Sequence, residues 1–247
     1  MSSNMRREVI EYSDGDARLE GYVVAPRADH PLPVVLICHA WRGSEAFDRE
    51  RAEWIASLGY IGFAIDVYGK GKRGTDNASC AALMTPFLED RAMLKGRLLA
   101  SVTEAGRISG ADRTRLAAIG FCFGGLCALD LARANAQGVL GTVAYHGLFT
   151  APNIGTQPPI AAKVIAYHGW DDPMCTPEAA LGFAAEMTAA KADWQLHAFG
   201  GTLHAFTNPD ANDPSFGVQY RAAAAARAYE GSVGFFHEIF GPTQCSA

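Results

Sequence analysis

The stretch Ile119-Gly120-Phe121-Cys122-Phe123-Gly124-Gly125 constrains this chain more than any other. An apolar run, Arg115-Leu116-Ala117-Ala118-Ile119, leads into it, and a small-residue helical pattern from Leu126 to Ala136 follows. Strand, one glycine-flanked residue and helix in succession make a sharp turn, because glycines let strand and helix approach without Cβ clashes. The side chain displayed on that turn is a cysteine. A thiol needs less help than a hydroxyl to become a nucleophile, and the amide end of the following helix favours the thiolate. Cys122 is therefore the candidate nucleophile of a hydrolase. The competing reading is a small apolar core residue, the usual state of a buried cysteine. The dinucleotide fingerprint is not met, since the next glycine after Gly120 is Gly124.

The whole chain narrows the classes. Its 247 residues are enough to bury a large core and are expected to form one α/β domain over residues 1–247. A hydrophobic content of 49% with 19% charged residues excludes a disordered chain. The net charge of −5 comes with no basic stripe, so no nucleic-acid partner is expected. No apolar run reaches the length of a membrane span, so no membrane partner is expected either. Met1 to Arg7 are followed by alternating polar and apolar residues rather than a signal peptide's apolar region. Cys38, Cys80, Cys122, Cys127, Cys175 and Cys245 are scattered without a C-x-x-C pair, which argues against a zinc site and a disulfide framework. A reducing cytoplasm is the expected compartment, and a monomer or homodimer is compatible with all of this.

In chain order, Arg7 to Val24 reads as a β-hairpin with its turn at Ser13-Asp14-Gly15-Asp16. Val34 to His39 is a continuous apolar strand of the kind buried on both faces of a parallel sheet. A helix follows, with Ser44 as N-cap, Phe47, Trp54, Ile55 and Leu58 facing inward, and Gly59 as its stop. Ile61 to Tyr68 is the next strand, completing a right-handed crossover unit. From Gly69 to Phe87 no period is clear, so an irregular insert at about residues 69–90 is either a lid over the site or a solvated loop. A helix is expected from about Glu89 to Ile108. The elbow helix should stop at Gly138. Strands at Gly141–His146, Lys163–His168 and Trp194–Phe199 follow, with a helix from Pro177 to Ala190 between the last two. A helix from about Val218 to Ile239, anchored by Val233, Phe236 and Ile239, closes the chain. Alternating strands and helices with short connections predict one doubly wound, mostly parallel sheet flanked by helices, with a short N-terminal hairpin.

In such sheets the site forms at the carboxyl ends of strands. Cys122 is at one such end, and two others carry His168-Gly169-Trp170-Asp171-Asp172-Pro173 and Gly200-Gly201-Thr202-Leu203-His204-Ala205-Phe206. Cys122, Asp172 and His204 follow one another as nucleophile, acid and base, the order of an α/β-hydrolase elbow. Asp171 and Asp172 are adjacent, and only one of them can face the histidine. Seven histidines compete for the base role; His39, His146 and His168 end strands and could line the pocket or bond loops, whereas His204 sits in a glycine-rich loop suited to a base. The backbone N–H groups of Phe123 and Trp41 are the candidate oxyanion donors. Trp41, Phe121, Phe123 and Trp170 suggest a compact apolar pocket.

Gly120-Phe121-Cys122-Phe123-Gly124-Gly125, His168-Gly169-x-x-Asp172-Pro173 and His204-Ala205-Phe206 together resemble the dienelactone hydrolases (the carboxymethylenebutenolidase-like proteins), the cysteine branch of the α/β-hydrolases. The resemblance runs from about Val34 to the C-terminal helix. It implies the α/β-hydrolase fold, Asp172 rather than Asp171 as the acid, and hydrolysis of a small-molecule ester or lactone through a thioester acyl-enzyme. It implies no cofactor and no metal. Members that open dienelactone carry a glutamate in the loop after the first parallel strand, where Ala40 stands here, and an arginine shortly after the catalytic histidine, in a run that here ends at Asn208. Another substrate is therefore expected, with Ala40, Arg42, Trp170 and Asn208 as candidate contacts; Arg42 is either an anion contact or a solvated surface arginine. A thioesterase, acyltransferase or peptidase on the same scaffold, and a non-catalytic binding homologue, are the alternatives.

Overall fold

The computed structural model describes residues 5–241. Strands β1 (Met5–Asp14) and β2 (Ala17–Pro26) form the expected antiparallel hairpin, with Gly15 at φ 53° taking the left-handed turn position. Strand β3 (Leu32–Cys38) is buried along its whole length, which is why its sequence shows no polar alternation. Helix α1 (Ala46–Ser57) and the short strand β4 (Ile61–Ala64) complete the first crossover. The N-cap of α1 is Glu45 rather than Ser44, because the Asp48 carboxylate accepts the Glu45 N–H at 2.8 Å in a capping box.

The segment expected to be irregular contains a helix, α2 (Asn77–Glu89), followed by α3 (Arg91–Ala105). Asp76 starts α2 by accepting the Ser79 N–H at 2.7 Å, while Pro86 in its last turn interrupts the helical signal that sequence periodicity relies on. Phe87 and Cys80 are buried, so this helix is packed onto the core. Strand β5 (Ala111–Phe121) leads into the elbow and helix α4 (Phe123–Arg133). That helix ends before Ala136, with Asn135 at φ 48° turning the chain ahead of Gly138.

Strands β6 (Val139–Tyr145) and β7 (Lys163–Gly169), helix α5 (Pro177–Ala189) and strand β8 (Trp194–Phe199) follow as expected within a few residues. Val218 does not begin the last helix. Val218–Gln219 forms strand β10 and pairs with β9 (Asn212–Asp213), and helix α6 begins only at Ala222 and runs to Phe240. Of its expected anchors Phe236 is buried, while Val233 and Ile239 are half-buried and Phe235 and Phe240 carry the rest of the packing.

The main sheet has eight strands in the order β1-β2-β4-β3-β5-β6-β7-β8, parallel from β4 through β8. Successive residues of β3 point to opposite faces: Val34 and Leu36 join one buried cluster with α3 and α4, Val35 and Ile37 another with α1 and α6. The strand order reverses at β3, whose neighbours are β4 and β5. At such a switch point the loops after adjacent strands part and leave a crevice. The crevice is flanked by the β3 loop at Ala40–Gly43 and the β5 elbow at Cys122. Among the described residues no helix is long and apolar enough to cross a membrane.

Candidate active site

Cys122 adopts φ 57° and ψ −119°, a backbone state costing roughly 1–3 kcal/mol for a residue with a side chain. The strain is forced by how closely β5 and α4 approach. A Cβ on Gly120 would collide with the Gly124 carbonyl, and a Cβ on Gly124 with the Cys38 carbonyl. Only glycine lets the helix start that near the sheet. Of the five described cysteines, all free, Cys122 alone is not fully buried. Burial pushes the thiols of Cys38 and Cys127 far up and that of Cys175 to about 12, so those three are held as uncharged core groups. Cys127, the cysteine nearest in sequence, is fully buried in the core. Cys245 lies outside the described residues.

His204 is held from both sides of its own backbone. Its N–H donates to Gly217 at 3.0 Å, and its carbonyl accepts the Gln219 N–H at 3.0 Å, so the short β9–β10 hairpin fixes the loop. Its Nδ1–H donates to Asp172 Oδ2 at 2.6 Å, with both side chains buried. Asp172 Oδ1 in turn accepts the Met174 N–H at 2.8 Å and the Cys175 N–H at 3.3 Å, which stops the carboxylate from rotating. Asp171 is exposed. Burial pulls the His204 imidazole down, but Cys122 is the largest upward influence, followed by the bond to Asp172, and together they raise it to about 10. Its Nε2 is buried and makes no well-formed hydrogen bond among the described residues. Cys122 and His204 line the same cavity of about 570 Å³.

The other strand-end histidines are occupied differently. His39 Nδ1–H donates to the Ala40 carbonyl at 2.7 Å and Nε2 accepts the Val67 N–H at 3.1 Å; burial, chiefly, lowers it to about 4. It is a neutral strut under the loop that carries Trp41. His146 and His168 are also lowered by burial, which keeps them uncharged. His146 bonds Thr207 at 2.8 Å and lines the cavity, 5.0 Å from His204 between ring centroids. The two partners sit beside non-glycine residues of positive φ, His146 itself at 38° and Ala205 at 55°.

Phe123 provides the first amide of α4, one of the donors a helix leaves without an internal acceptor. Trp41 lies in the loop after β3, with its carbonyl accepting the Tyr68 hydroxyl at 3.1 Å. Neither amide donates to another described residue. The Phe123 ring is not in the cavity: it packs in the core, 5.7 Å from Tyr68 and 6.3 Å from His39.

Of the four candidate contacts, Ala40, Arg42 and Asn208 line the cavity. Trp170 does not. The turn that sends Asp172 inward is pinned by the Trp170 N–H on the Phe199 carbonyl at 3.0 Å and leaves the indole 39% exposed beside His168. Arg42 is not a free surface cation, since its Nε–H donates to Glu45 Oε1 at 3.1 Å. Sequence reasoning missed Glu45, Asp48, Met84, Thr207 and Phe216, which also line the cavity. The two acids carried a signal in the Glu45-x-x-Asp48 spacing of a helix start; Phe216, stacked on Trp41 at 6.2 Å, carried none. Among the described residues no group of three or more histidines, cysteines and carboxylates is placed to hold a metal.

Comparison with known proteins agrees with this architecture. Residues 19–240 match the model of the dienelactone hydrolase family. Carboxymethylenebutenolidase of Pseudomonas putida is 25% identical over 240 residues, covering 94% of this chain and 96% of that protein. An uncharacterized protein of Caenorhabditis elegans is 32% identical over 149 residues, 60% of this chain and 94% of that protein. The crystal structure of the dienelactone hydrolase-like promiscuous phosphotriesterase P91 from metagenomic libraries superposes with a TM-score of 0.90 at 31% identity, covering 97% of this chain and all of that one (100%). The fold is thus the α/β-hydrolase fold, with an N-terminal antiparallel strand pair.

Proposed function

This chain belongs to the dienelactone hydrolase family, and on that footing we propose that it hydrolyses small esters or lactones with Cys122 as nucleophile, His204 as base and Asp172 as orienting acid. The observation that carries the reading is the His204–Asp172 bond of 2.6 Å beside a cavity shared with the one described cysteine that is not fully buried.

The chemistry follows from those positions. The Cys122 thiolate attacks the substrate carbonyl carbon, and the carbonyl electron pair moves onto oxygen. The amides of Phe123 and Trp41 are the donors available to that oxyanion; losing one such donor typically costs about 10²–10³ in rate. As the tetrahedral species collapses, the bond to the leaving oxygen breaks and His204 Nε2–H protonates the alkoxide. The acyl group remains on sulfur as a thioester. A water molecule then attacks it, giving a proton to His204 Nε2, and the thiolate leaves as the carboxylic acid forms. Asp172 keeps the Nδ1 proton in place throughout, so that Nε2 is the nitrogen that exchanges protons with substrate.

The direct test is hydrolysis of p-nitrophenyl acetate and butyrate with and without iodoacetamide pretreatment, followed by mass mapping of the label. Turnover lost in step with alkylation of Cys122 is the expected result. No turnover together with an unlabelled Cys122 would count against the reading and favour a binding protein.

A further inference from the structure

Resting on that reading, we propose that the cavity selects esters and lactones whose acyl group is apolar and uncharged, and that Glu45 withholds the wall's one arginine from substrate carboxylates.

The cavity wall is dominated by Trp41, Phe47, Met84, Phe121, Leu148 and Met174. An acyl chain lying against them is favoured for each methylene removed from water. A terminal carboxylate on the same chain must instead shed its hydration, which is recovered only if a cation or several donors receive it. Among the described lining residues Arg42 is the only lysine or arginine, and it is already paired: Nε–H to Glu45 Oε1 at 3.1 Å. The Glu45 backbone N–H is held by Asp48 Oδ2 at 2.8 Å, which fixes where its side chain leaves the main chain at the start of α1. Asp48 adds a second carboxyl to the same wall and is itself only 3% exposed. Beside His204, whose charge is matched by Asp172, the lining polar residues are His146, kept neutral by burial, and the uncharged Thr207 and Asn208. An anionic acyl group would therefore enter a wall whose arginine is paired with Glu45, whose His204 imidazolium is paired with Asp172, and which otherwise adds only the carboxyls of Glu45 and Asp48 to the catalytic pair.

The Arg42–Glu45 pair lies at the cavity mouth, its side chains 48% and 41% exposed. A pair at that exposure is screened and its hold is modest. The apolar wall thus supplies most of the discrimination, and Glu45 a smaller part.

Two substrates of equal chain length separate the terms: p-nitrophenyl hexanoate, and mono-p-nitrophenyl adipate, in which a carboxylate replaces the terminal methyl. The wild type is expected to prefer hexanoate in kcat/KM by about 100-fold, the scale of an unpaired buried polar group. Glu45→Gln keeps a side-chain acceptor for the helix cap and frees Arg42. It is expected to narrow the preference by about fivefold, through a gain on adipate. The ratio of the two activities does not depend on how much variant is folded. A wild-type preference within about threefold overturns the selectivity proposal while leaving the hydrolase intact, and an unchanged ratio in Glu45→Gln overturns the role of Glu45. Turnover of neither substrate, with Cys122 inert to iodoacetamide, would overturn the hydrolase reading and this inference with it.

Discussion

Asp172 accepts the His204 Nδ1–H across 2.6 Å while its other oxygen is held by the Met174 and Cys175 amides, so the carboxylate is bonded on both sides and has no freedom to turn. The two residues are 32 positions apart in sequence and come from the loops after β7 and β8. Their partnership fixes which imidazole nitrogen faces the cavity, and that orientation is what a proton-transferring histidine requires.

Asp172→Asn should therefore lower kcat/KM for p-nitrophenyl butyrate by about 10²–10⁴-fold, because an amide cannot stabilise the imidazolium and can impose the wrong tautomer. Asp171→Asn, on an exposed side chain, should change it by less than about threefold. The reverse order would assign the acid to Asp171.

Cys122→Ala should abolish turnover with the fold retained, as read by near-UV circular dichroism, and Cys122→Ser should leave a weak hydrolase, since a hydroxyl, unlike a thiol, is scarcely ionised and must give up its proton as it attacks. Cys122→Gly should unfold at higher denaturant than Cys122→Ala by about 1 kcal/mol, because glycine relieves the strain of φ 57°. Equal stability of the two variants would mean that the elbow stores no strain.

Thr207→Val removes the partner of His146 and leaves a buried imidazole with no bond to the 204–207 turn. The expected cost is about 1–3 kcal/mol of stability in urea unfolding. Activity should fall mainly in kcat, because the turn that is loosened carries His204. A lower stability with unchanged kcat would limit His146 to a structural role.

Stability should fall on acidification from pH 6.5 towards 4.5. His39 at about 4 in the folded state, with His146 and His168 also lowered, leaves three imidazoles neutral in the fold that gain protons near 6.5 once unfolded. Their contribution is present above the unfolded value and is lost as pH drops towards the folded one. Asp48 acts in the opposite sense, since burial raises it to about 7 and the fold keeps a proton that the unfolded chain releases above 3.8. One carboxyl opposes three imidazoles, so the net slope remains acid-destabilising. His146→Gln should flatten it by up to about 1.4 kcal/mol per pH unit. On the alkaline side His204, raised to about 10, stabilises fully below 6.5 and loses its contribution as pH climbs to 10, so stability should also decline over that range. Urea midpoints measured from pH 4.5 to 10 check both limbs.

Much of this protein was legible in its sequence because the relevant signals are local. The continuous apolar run of β3 marks a strand covered on both faces, the Gly15 turn marks the hairpin, and Gly120 and Gly124 mark a close strand–helix approach. Each is a property of a few neighbouring residues and their backbone preferences. The same holds for the order Cys122, Asp172, His204 at three strand ends. Where local signals conflict they mislead: Pro86 conceals α2, and Val218, in an Ala-rich neighbourhood, carries a helical pattern although in β10 it pairs with Asp213 of β9.

Only the tertiary structure decided the rest, because burial and contact at long range have no local mark. It clamped the Asp172 carboxylate between His204 and two amides, gave His39 to the Val67 amide, turned Trp170 outward, and brought Phe216 onto Trp41. It also joined Arg42 to Glu45 at the cavity mouth. The sequence by itself thus determined where backbone must bend and which reactive groups stand at strand ends. Packing, by deciding which of them lose water and which charges are already paired, determined what the cavity is suited to receive.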